Sequence, residues 1–165
     1  MLVFISLLVG RKVSDEPATV LAQKALILPI IFLNNTIIGI GSKRYPKAGV
    51  PKATTDGGRE DSTMQKQHSI LTNTVEQFIM HLLSLFAFAA VVPHEWRVLA
   101  PALCFLWTLA RVSFVQGYMH DGANNLLRAH GFAMTFFCSL IPLVYVASKC
   151  VLGLELLPSE IPEIF

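Results

Sequence analysis

The chain has 165 residues and a mass of 18.2 kDa, room for one domain or one compact membrane bundle. Hydrophobic residues make up 53% of it and charged residues 15%, with a mean hydropathy of +0.56, whereas a soluble domain carries roughly 25% charged residues to solvate its surface. That balance excludes a disordered chain and argues against a monomeric cytosolic enzyme, and a net charge of +2 without a basic patch excludes a nucleic-acid footprint.

Four apolar runs are long enough to cross about 30 Å of hydrocarbon, which takes about 20 helical residues. The first, residues 20–41, carries Lys24 near its start and no charge from Ala25 through Gly41. The second, 70–92, contains Asn73, Glu76 and His81, and Pro93 closes it. The third, 98–119, encloses Arg111. The fourth, 131–153, has only Lys149 charged, and Pro158 follows it. The expected fold is an all-α integral membrane protein, a left-handed four-transmembrane-helix bundle filling 19–153. A segment at 1–18 and a tail at 154–165 flank it. Within the first segment, residues 2–9 are apolar but too short to span, and they make a poor signal peptide because Arg11 and Lys12 follow them instead of preceding them. This piece fits either the remnant of an additional span or an interfacial start.

The connections are unequal. Residues 42–69 form a long polar stretch with six basic residues, among them Lys43, Arg44 and Lys66. Residues 93–97 are so few that the second and third spans must form an antiparallel hairpin. The last connection, 120–130, returns to the side of the long loop and adds Arg128. The excess of Lys and Arg places that side in the cytosol. Asn34-Asn35-Thr36 matches a glycosylation sequon but lies inside the first span, out of a transferase's reach. Cys104, Cys138 and Cys150 show neither a CxxC nor a Cys/His cluster, so they read as apolar fillers, not as a disulfide framework or zinc site.

Ionisable groups inside the spans are the informative feature, because each costs several kcal/mol in hydrocarbon unless paired or hydrated. Glu76 lies about 9 Å below the start of the second span, and Arg111 lies about 12 Å below the same surface on the third. Similar depth on antiparallel neighbours predicts a Glu76–Arg111 ion pair. Ser69, Asn73 and Glu76 share one helical face, as do Trp107, Arg111, Phe114 and Tyr118. Together with Arg128 these stripes could line a site for an anionic, peptide-like ligand beside an acyl chain. Alternatively, Asn73 and Glu76 act only as glue between helices. His81 reads as an interhelical hydrogen bond, Tyr118 and Trp96 as interfacial anchors, and Lys149 as a snorkelling cation.

Asn73-Thr74-Val75-Glu76, opening a span after a long basic loop, resembles the N-x-x-E signature of the MAPEG superfamily, the membrane-associated proteins of eicosanoid and glutathione metabolism. Residues 110–118, followed by Arg128-Ala129-His130-Gly131, are similar to that family's R-x-x-[YF]-x-x-[GA]-Y and R-x-x-G patterns. The resemblance covers about residues 20–150. It implies a homotrimer with glutathione held between subunits near the cytosolic side by Asn73, Glu76, Arg111 and Tyr118, and Arg128 stabilising the glutathione thiolate. No metal is implied. The sequence departs from the catalytic pattern at Ser69 and Phe114, where arginine and tyrosine are common, and at Gln77, where an aromatic often stands. These departures resemble the divergent, mattrin-like branch of the family. Two functions therefore follow: a non-catalytic scaffold or lipid-binding protein of an endomembrane, or a glutathione-dependent transferase or peroxidase acting on lipophilic substrates.

Overall fold

The computed structural model describes residues 16–44, 62–119 and 126–157. The short apolar piece at 2–9 and most of the long basic connection lie outside the described residues. Those described form helices α1 (Ala18–Ala25), α2 (Ile27–Arg44), α3 (Ser62–Val91), α4 (Leu99–Met119) and α5 (Leu126–Leu152), with one 3-10 turn at His94–Trp96. Four spans follow, α1 and α2 together making the first; each is long and apolar enough to cross a membrane.

The first span is broken at Leu26, which the apolar pattern alone did not show. Pro29 has no N–H, so the carbonyl of Ala25 loses its i+4 donor. The flanking amides stay in register: Leu26 N–H donates to the Ala22 carbonyl and Ile30 N–H to the Leu26 carbonyl, both at 3.0 Å. Two other helices start earlier than their hydrophobic runs. α3 begins at Ser62 and α5 at Leu126, because hydropathy marks the hydrocarbon-embedded part of a helix while polar helix formers such as Gln65, Lys66 and Gln67 extend it beyond.

The connection between α3 and α4 is the expected tight hairpin. Pro93, with φ −59° and ψ 152°, stops α3 and opens the 3-10 turn. Arg97 holds this corner, its Nε donating to the His94 carbonyl at 2.9 Å and its Nη1 to the carbonyl of Glu16. The far end of α5 is fixed at the same level. Gly153 adopts φ +65°, the left-handed conformation that favours glycine, and lets Leu154 N–H reach the Ser148 carbonyl at 3.0 Å. Lys149 Nζ donates to the Val91 carbonyl at 3.1 Å, satisfying one of the orphan carbonyls at the end of α3.

A buried apolar cluster of Ala22, Leu26, Leu85, Ala89, Ala100 and Cys104 knits α1, α3 and α4 near the hairpin. Toward the other end, α4 and α5 approach backbone to backbone at two glycines. A Cβ on Gly117 would collide with the backbone of Arg128, and one on Gly131 with the backbone of Phe114 and Ala110. Close packing of small residues replaces the hydrophobic drive that lipid cannot supply.

Candidate ligand site

α3 turns Ile70, Thr74, His81, Leu85 and Phe88 inward. α4 presents Cys104, Trp107, Arg111 and Phe114 to the same interior. Arg111 is 0% exposed. Its Nη1 donates to Asn73 Oδ1 at 3.0 Å and its Nη2 to Thr74 Oγ1 at 2.7 Å, and its guanidinium lies 4.1 Å from the centroid of the Phe114 ring. The two terminal nitrogens thus go to a neutral amide and a hydroxyl and the plane rests on an aromatic face, while Nε is buried without a hydrogen-bond partner.

The expected Glu76–Arg111 ion pair does not form. Glu76 is exposed on the outer side of α3. At about 100° per residue it stands roughly 200° around the helix from Thr74, which faces Arg111. Matching depth was not enough, because azimuth decides which groups meet. Ser69 is exposed as well, its hydroxyl donating to the Gln65 carbonyl at 3.0 Å within its own helix. The face shared by Ser69, Asn73 and Glu76 is therefore peripheral, and only Asn73 reaches inward.

Tyr118 and Arg128 do come together. The Arg128 guanidinium stands 4.3 Å from the Tyr118 ring centroid, and the Tyr118 ring lies 5.6 Å from that of Phe114. Arg111, Phe114, Tyr118 and Arg128 form a ladder from the interior outward. Arg128, in the first turn of α5, is exposed, and Tyr118 is half-buried. Glu76 and Arg128 are thus both exposed, whereas Arg111 is enclosed.

Below Arg111, His81 stacks on Trp107 with centroids 5.5 Å apart and planes 21° apart. His81 also approaches the backbone of Cys138, though neither ring nitrogen makes a well-aligned hydrogen bond. Pro142, one turn on in α5, has no N–H to give the Cys138 carbonyl, which leaves that carbonyl to another donor. The expected interhelical hydrogen bond of His81 is therefore not formed with good geometry, and its contact between helices is the stacking on Trp107.

The residues that sequence reasoning passed over are Thr74, Asn35 and Gln67. Thr74 sits inside the N-x-x-E signature, and its phase with Ile70 and His81 carries the signal that it faces inward. Asn35 and Gln67 line a cleft of about 270 Å³ with Thr36, Ile70, Val115 and Met119. Gln67 Oε1 is buried there without a hydrogen bond. Cys104 and Cys138 are buried and Cys150 is exposed, all as free thiols. Among the described residues no group of His, Cys, Asp or Glu could hold a metal ion.

The MAPEG family model matches residues 18–148. The chain belongs to the MAPEG family. No curated protein and no solved structure matches it. As a MAPEG protein with four candidate spans, it is an integral, multi-pass membrane protein in contact with lipid.

Proposed function

We propose that this MAPEG protein is a non-catalytic scaffold or lipid-binding protein of an endomembrane (the endoplasmic reticulum or a secretory or lysosomal membrane), assembled as a homotrimer with its 45–61 connection in the cytosol. The observation that carries this reading is the enclosure of Arg111, whose terminal nitrogens are used by Asn73 and Thr74 of the same subunit. Two of the four residues assigned to glutathione by family resemblance are thereby committed to the fold. Ser69 and Phe114 supply no replacement cation or phenol. Loss of one arginine partner for a ligand carboxylate costs about 2–5 kcal/mol, or roughly 30- to several-thousand-fold in affinity. Assembly is supported by polar groups that one subunit leaves exposed within its spans: Asn34, Asn35, Glu76 and Gln116. In lipid each is costly until another subunit or water covers it.

A second reading is favoured by the exposed Arg128 over Tyr118. If glutathione binds where one subunit's Glu76 meets a neighbour's Arg128, the guanidinium would favour the thiolate, and the thiolate would attack a lipophilic electrophile. Equilibrium binding of glutathione to the detergent-solubilised oligomer, wild type against Arg128→Ala, separates the two. The non-catalytic reading expects no binding at millimolar glutathione. Measurable binding with a thiolate absorbance that falls in Arg128→Ala would replace it with the enzyme.

A further inference from the structure

At the end of the bundle away from Arg111, a groove of about 420 Å³ opens between α3, α4, α5 and the chain after Gly153. Its floor is made by Phe88, Leu103 and Tyr145, and its rim by Ile141, Val144 and Leu156. The rim is well exposed, Ile141 at 60% and Leu156 at 55%, so the groove is open to its surroundings. Along α5 its lining runs from Phe137 to Tyr145, about 12 Å at 1.5 Å per residue, with Lys149 one turn further on. That is close to the depth of one leaflet of a bilayer with about 30 Å of hydrocarbon.

Among the described residues around the groove, charge stands at its outer end. Lys149 follows Tyr145 by one turn of α5. Its Nζ donates to the carbonyl of Val91, one turn beyond Phe88, and stands 3.8 Å from Glu155, which precedes Leu156. Three walls of the groove therefore converge on this ammonium. The single bond to Val91 leaves further N–H donors on it. The Glu155 side chain is 66% exposed, and at 3.8 Å it is too far for a hydrogen bond to Lys149. One cation and one exposed anion side by side above an apolar slot complement a zwitterion carrying a long hydrocarbon tail.

We propose that this groove binds a zwitterionic glycerophospholipid of the hairpin-side leaflet, with one acyl chain along Leu103, Ile141 and Tyr145, the phosphate on Lys149 and the headgroup ammonium on Glu155. This deepens the lipid-binding part of the reading above and uses none of Asn73, Arg111, Tyr118 or Arg128.

The test is native mass spectrometry of the oligomer released from nanodiscs containing equal phosphatidylcholine and phosphatidylglycerol, with a glutathione titration of the same samples. Wild type is expected to retain phosphatidylcholine over phosphatidylglycerol by about tenfold, a difference of about 1.4 kcal/mol. Leu103→Trp, which fills the floor, and Ile141→Trp, on the exposed rim where folding is not at stake, are each expected to abolish retention. Glu155→Gln is expected to erase the preference while keeping the lipid. Equal retention of both lipids by wild type, or undiminished retention in both tryptophan variants, would overturn the proposal. So would no retained lipid, whether detergent, a second copy or residues 158–165 fill the groove. Failure here with no glutathione bound leaves the non-catalytic reading intact, and glutathione binding beside retained lipid removes that reading alone.

Discussion

Arg111 shows how a single side chain can be assigned the right environment and the wrong partner. Its burial was readable from the phase of Trp107, Arg111 and Phe114 along α4, and all three are buried. Its partner was inferred from depth, and the nearest acid at that depth was Glu76. A neutral solution is physically adequate, since two hydrogen bonds from a charged donor are worth about 1.5–3 kcal/mol each. Glu76→Gln removes no partner of Arg111 and is therefore expected to leave the Asn73 and Thr74 hydrogen bonds intact, destabilising the isolated bundle less than a change at Arg111 does. Arg111→Lys keeps the charge but replaces the two-nitrogen fork that serves Asn73 and Thr74 with a single ammonium, and a loss of about 1–2 kcal/mol is expected. Thermal unfolding in detergent, read against wild type, checks both. That Tyr118 and Arg128 share one end of the bundle was legible from the span ends, whereas their contact was not, because the chain between them runs through a connection whose path no periodicity fixes.

Among the elements, the four spans and the hairpin at Pro93 were legible because twenty apolar residues and a proline leave few alternatives. Helix ends were not, as α3 shows by starting eight residues before Ile70. The seam between α4 and α5 was also hidden: glycine counts in a sequence do not say which glycine faces a neighbour. Gly117 and Gly131 do, and an added Cβ at either meets backbone that cannot rotate away. Gly117→Ala and Gly131→Ala are each expected to destabilise the bundle by about 1–3 kcal/mol, the usual cost of overpacking. Gly39→Ala is the control, since nothing lies within 4 Å of its added Cβ, and a gain of up to about 1 kcal/mol in helix propensity is expected. Thermal midpoints of the three variants measured together distinguish close packing from a general intolerance of substitution.

For the molecule as a whole, the bundle closes around a polar column of Asn73, Thr74, Arg111, Trp107 and His81, all from the same chain. The family blocks in the sequence lead to the same helices, yet the structure spends the arginine on its own fold. What was legible was therefore the architecture and the location of the polar end. What was not was whether those polar groups face a ligand or each other, because that depends on helix rotation by a fraction of a turn. A double-mutant cycle between Thr74→Val and Arg111→Leu tests this most directly, with unfolding free energies measured in the absence and presence of millimolar glutathione. A coupling of about 1–3 kcal/mol, unchanged by glutathione, is the expected result. Additive effects of the two substitutions, or a coupling that shifts when glutathione is added, would contradict it.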